Sequence, residues 1–156
     1  RYFPGEGRRI GAVLEEDLAV PSRALFGWME SYDGPIADLI EGFSRRMTGI
    51  QGHGLARGYL LLALDEAGRR PEIAEFMRRE ILAPGLVAIG RAFQRAMDRG
   101  ELAPGHDPAL VARLFFAPFL QSTLGTVGYV LPVGDEAERE RYRQFHVAAF
   151  LRAFAP

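Results

Sequence analysis

The chain contains no cysteine, no lysine and only three histidines, and each shortage closes off a class of chemistry. Without cysteine there can be no disulfide, thiolate nucleophile or thiolate metal site, although the redox compartment is left open. His53, His106 and His146 show no metal-ligand spacing. All 19 basic residues are arginine against 20 acidic ones, a net charge of -1. The absence of lysine reflects coding bias more plausibly than a designed nucleic-acid surface. The domain lacks the strongly basic footprint of an autonomous DNA binder, though a local patch could still touch DNA. Nothing resembles a signal peptide, an internal repeat or a low-complexity tract.

What is present fits one helical domain. A chain of 156 residues, 48% hydrophobic, is long enough to bury about 70% of its extended-chain surface without staples. From Leu114 to Gly134 there is not one charge, more apolar surface than a helix packed on one side needs. Residues 114–133 could span about 30 Å as a helix. Pro118, Gln121, Ser122, Thr123, Gly125, Thr126, Gly128 and Pro132 interrupt the run, however, and no basic cluster follows it. Burial or a subunit interface is the better reading, and no membrane contact is expected.

Periodicity and capping residues place the helices. Ile10, Val13, Leu14 and Leu18 predict a first helix, ended or bent at Pro21, with Ser22 capping a short following segment. Pro35, with Asp33 or Gly34 as cap, opens a helix whose stripe is Ile36, Leu39, Ile40, Phe43 and Met47. Gly49 to Gly54 breaks it. Leu55–Glu66 reads as a helix covered on several sides, with a buried strand over Tyr59–Leu64 as the competing reading. Pro71 starts the next helix, and Pro84 requires a bend or a new start. Gly100 is the expected C-terminal cap, and Arg91, Arg95 and Arg99 form a line read chiefly as a solvated face. Asp107-Pro108 is the clearest start signal, and Asp135 with Glu138 makes a capping pair for the last helix.

No catalytic constellation assembles from these residues, and neither an enzyme nor a cofactor is expected. The glycines from Gly49 to Gly58 lack the ending of a phosphate loop. Glu15, Glu16 and Asp17 are explained by a solvated helix face or terminus. His146, among Val, Ala and Phe, reads as a satisfied interface or core histidine rather than a base. A cavity for an apolar molecule is more credible than an active site. Trp28, Phe43, Met47, Tyr59, Phe76, Met77, Phe93, Phe116 and Phe119 could line it, and His53, Arg57, Tyr59 and Gln121 could supply polar contacts. A filled hydrophobic core accounts for the same composition.

Arg1-Tyr2-Phe3-Pro4 followed by Ala12-Val13-Leu14-Glu15 resembles the junction between the helix-turn-helix domain and the connecting helix of TetR-family transcriptional regulators. PEIAEFMRREILAP, the Arg99-Gly100-Glu101-Leu102 turn and the Asp107-Pro108-Ala109-Leu110-Val111-Ala112 start resemble that family's regulatory domain. The resemblance covers most of the chain. It implies an all-α, multi-helix regulatory domain over residues 8–156, with residues 1–7 a remnant of the junction and the DNA-reading head upstream. It implies a cytoplasmic, ligand-responsive regulator acting as a repressor, which forms a homodimer, binds operator DNA through that head, and takes up a small, largely apolar effector. The last two helices of each subunit would form a four-helix bundle across the dimer, involving Phe115, Leu124, Val127, Tyr142, Phe145, His146, Ala149, Phe150 and Ala153. Tyr2 would touch the DNA backbone. Glu6 stands where the family has lysine, Arg9 where it has leucine, and Gly5 where serine is commoner. The alternative is a stand-alone helical binding protein for an apolar small molecule.

Overall fold

Two prolines shape the architecture. Pro21 and Pro84 have no N–H to give to the carbonyls of Asp17 and Glu80, and each sits one residue beyond the start of a new α-helical stretch. Neither ends its helix. The chain instead takes a wide π turn just before each proline, with the N–H of Val20 donating to the carbonyl of Glu15 and that of Ala83 to Arg78. In the computed structural model, residues 7–52, 54–125 and 134–156 are described, with side chains for all of these but 49–60 and 123–125. Helix α1 (Gly7–Leu14), the first π turn (Glu15–Ala19) and α2 (Val20–Ser31) thus form one continuous rod. A second rod runs through α5 (Pro71–Met77), the second π turn (Arg78–Leu82) and α6 (Ala83–Asp98). Ser22 makes no cap, because the helix never stops there.

The remaining elements are α3 (Ile36–Gly52), α4 (Gly54–Ala67), α7 (Pro108–Gly125) and α8 (Glu136–Ala153). Among the described residues there is no strand, and the competing strand reading for Tyr59–Leu64 gives way to α4. No described helix is long and apolar enough to cross a membrane. Helix α6 lies centrally against α2, α3 and α7, while α8 packs on α3, and α4 packs on α5, α1 and the first π turn.

The helix ends follow the capping residues. Asp107 accepts from the N–H of Ala109 at 2.9 Å, and Asp135 from that of Glu138 at 2.9 Å. Gly100 adopts φ +74°, which lets the N–H of Glu101 return to the carbonyl of Ala96 at 2.8 Å and close α6. The Glu101 carboxylate accepts from the N–H of Ile36, so one side chain caps a helix distant in sequence. The arginine line on α6 is more than a solvated face. Arg91 pairs with Glu30, Arg95 donates to the carbonyl of Met29, and Arg99 donates to that of Gly34. Arg91 and Arg95 thus gather at the C-terminal end of α2, where the helix dipole favours positive charge, while Arg99 reaches the turn between α2 and α3.

Two apolar clusters divide the interior. The larger centres on Phe43, Phe93, Phe115, Phe119 and Phe150, joined by ring contacts of 5.0 to 5.7 Å at mostly steep angles. The smaller holds Leu14, Leu18, Ala19, Ala63, Ile73, Phe76 and Met77. Between α3 and α8, Arg143 is 4% exposed. It donates to Ser44 Oγ at 2.8 Å and pairs with Glu41 at 3.0 Å and Glu140 at 2.7 Å.

Candidate functional site

A cavity of about 170 Å³ opens where the two clusters fail to meet. Both π turns face it. The first contributes Asp17 and Leu18, followed by Pro21, Ser22, Leu25 and Phe26 from α2. The second contributes Ile81 and Leu82, flanked by Met77 before it and by Gly85 and Ile89 after it. Phe43 and Met47 of α3, with Phe116, Phe119 and Leu120 of α7, close the remaining sides.

The local backbone explains why these side chains share one wall. Round an ideal α-helix, residues 17, 21 and 25 would drift about 40° per step. The added residue of the π turn brings them back towards one line. The rods are also bridged beside the cavity, since Arg23 of α2 pairs with Glu15 of the first π turn and with Glu80 of the second. At Gly85 an added Cβ would stand 3.0 Å from the Phe26 ring. Glycine there is what allows Phe26 to lie against α6.

Of the residues expected to meet a ligand, Phe43, Met47, Met77, Phe116 and Phe119 line the cavity. Four others do not. Trp28 packs against the larger cluster and over Gly42 of α3, with the Arg46 guanidinium 3.9 Å from its ring centre. Phe76 is enclosed in the smaller cluster and Phe93 in the larger. Gln121 is half-buried, away from the cavity wall. His53 and the side chains of Arg57, Tyr59 and Leu124 lie outside the described residues, as do Tyr2 and Val127. Asp17 is the notable omission: an acidic run reads as solvated surface until the π turn directs one member inward.

The expected association surface needs a similar correction. Phe115 and Phe150 belong to the chain's own core, at 1% and 5% exposure, and cannot serve as surface contacts. His146 is half-buried, and its Nε2–H donates to the Phe115 carbonyl at 2.9 Å while the ring stacks on Phe115. Burial pushes this imidazole below the usual histidine range, and the hydrogen bond only partly opposes the shift. Tyr142 and Phe145 do project outward, Phe145 at 70% exposure; Ala153 is exposed and Ala149 half-buried. Helix α7 adds Leu110 and Leu114, the latter 60% exposed, which sequence phase alone did not separate from their buried neighbours.

Among the described residues, no group of acidic and histidine side chains could hold a metal ion. The geometry therefore defines an all-helical domain with an apolar cavity between two rods. The family of tetracyclin repressor-like C-terminal domains matches the chain over residues 31–131, and the chain belongs to that family. Neither a curated protein nor a solved structure matches it. The matched span includes the walls built by α3, the second π turn, α6 and α7, but not the first π turn.

Proposed function

We propose that this domain is the effector-sensing and dimerising part of a ligand-responsive transcriptional repressor. In this reading residues 8–156 form the regulatory domain, and an upstream helix-turn-helix joined through Tyr2-Phe3-Pro4 reads operator DNA. The supporting observation is the 170 Å³ apolar cavity, whose walls include both π turns. A ligand there touches the rod that begins with α1, the segment nearest the proposed DNA-reading head. Any shift of the first π turn towards regular α geometry would rotate α1 relative to α2. Regulation requires the ligand to bind one of those arrangements more tightly than the other.

The second element of the proposal is self-association through α7 and α8. Leu110, Leu114 and Ala117 recur on α7 at helical spacing, as do Tyr142, Phe145 and Ala149 on α8. Large exposed apolar side chains grouped on two helices suit a packed subunit interface better than water. Sedimentation at micromolar concentration should give twice the 17.3 kDa chain mass, and a persistent monomer would refute the interface. For the cavity, Leu120 is the useful handle, because it lines the wall yet is 41% exposed. Leu120→Trp should fill the space while leaving the fold intact. Small aromatic ligands should raise the melting temperature of the wild type and not of this variant; equal shifts in both would refute the site.

A further inference from the structure

Among the described residues, the cavity wall carries two polar side chains, Asp17 and Ser22. Asp17 is half-buried, and no described residue gives it a hydrogen bond or an ion pair. The nearby cation does not serve it, because Arg23 is held by Glu15 and Glu80. A carboxylate beside an apolar wall loses hydration and regains it only from a donor or a positive charge. An ionised carboxylate only accepts hydrogen bonds, so its complement is an N–H-bearing cation. The volume sets the size of the rest of the molecule. An engineered cavity of about 150 Å³ accommodates benzene, so 170 Å³ holds one ring with a short arm. Four phenyl rings, Phe26, Phe43, Phe116 and Phe119, line the same wall, an aromatic setting that suits both such a ring and a cation beside it.

We infer that the effector is a small hydrophobic amine, its ammonium group held by Asp17 with Ser22 Oγ as a second acceptor. This rests on the reading of the cavity as the effector site and adds the charge and size of the ligand. An anionic effector would be repelled by Asp17. A neutral hydrocarbon would fill the same space but leave the carboxylate unpaired.

Three probes share one phenyl body and differ only at the end of the arm: phenethylamine, propylbenzene and 3-phenylpropionate. Titration calorimetry on the full chain at pH 7 should rank the amine about tenfold tighter than propylbenzene, with no detectable binding of the carboxylate. Asp17→Asn should remove that tenfold preference and leave propylbenzene affinity unchanged, which also shows that the cavity survives the substitution. Leu120→Trp should abolish binding of both, separating the cavity from amine adsorption on the acidic surface. Propylbenzene binding as tightly as the amine, or an unchanged amine affinity in Asp17→Asn, overturns the amine inference while the cavity reading stands. No binding by any of the three overturns both.

Discussion

Replacing Arg143 by methionine tests how α8 is held to α3. Methionine keeps much of the apolar stem and removes the guanidinium, which donates to Ser44 and pairs with Glu41 and Glu140. Breaking a buried pair from one side typically costs 3–5 kcal/mol, roughly, because the other charge is stranded. Here the carboxylates are less exposed to that penalty, since the Glu41 and Glu140 side chains are 37% and 40% exposed and can hydrate. Ser44 is fully buried but keeps its bond to the Glu41 carbonyl at 2.9 Å. A loss of about 2 kcal/mol is therefore expected. With a urea slope of about 2 kcal/mol per molar, the midpoint should fall by about 1 M. The assay is urea unfolding followed by far-ultraviolet circular dichroism at pH 7 and fixed protein concentration. The arginine beside it holds Glu140 at about 2, below its ordinary 4.5. A depressed carboxylate contributes its stability in full above pH 4.5 and loses it as pH falls towards 2. After solvent screening that share is about 1 kcal/mol or less. The gap between wild type and Arg143→Met should thus narrow below pH 4.5. A midpoint shift under about 0.25 M, equivalent to about 0.5 kcal/mol, would refute the view that this cluster fastens α8.

Other expectations follow from single residues. Gly100→Ala forces a side chain into positive φ at the end of α6 and should cost about 1 kcal/mol, read as a lowered melting temperature. Phe145→Glu, at an exposed position, should leave the unfolding midpoint of the dilute chain within about 0.5 kcal/mol while abolishing the dimer in sedimentation. His146 has its proton affinity lowered by burial, so its contribution is complete above the unfolded histidine value of about 6.5 and declines as pH falls below it. His146→Phe should flatten that part of the stability profile, and an unchanged slope would count against the burial argument.

The helix boundaries were legible where a single residue ends the helix, through its side chain or its backbone freedom. Asp107, Asp135 and Gly100 each act by local chemistry, and each is found doing so. Pro21 and Pro84 announced interruptions, but a missing N–H does not specify whether the helix ends, bends or widens. The chain widens at both, and helix continues on either side. That choice shifts helical phase and hides Asp17 among acids that otherwise look solvated. The faces of α7 and α8 were harder to separate. Apolar residues surround α7 and the C-terminal half of α8, so periodicity cannot distinguish Phe115 and Phe150, in the core, from Leu114 and Phe145, on the surface. Similarly, an aromatic on a helical stripe can reach a cavity or fill a core. Phe43 does both, packing at 5.5 Å from Phe119 and lining the cavity, whereas Phe93 only fills the core, against Phe150.

Four methionines provide the most direct test of the cavity as a binding site. Met47 and Met77 line it, while Met29 and Met97 are buried in the larger cluster away from the cavity wall. With carbon-13 methyl labels on methionine, titration with propylbenzene should move the Met47 and Met77 resonances along saturable curves with one shared dissociation constant. The Met29 and Met97 resonances should stay in place. Equal movement of all four, or no movement of Met47 and Met77 at saturating ligand, would contradict the assignment of this cavity as the effector site.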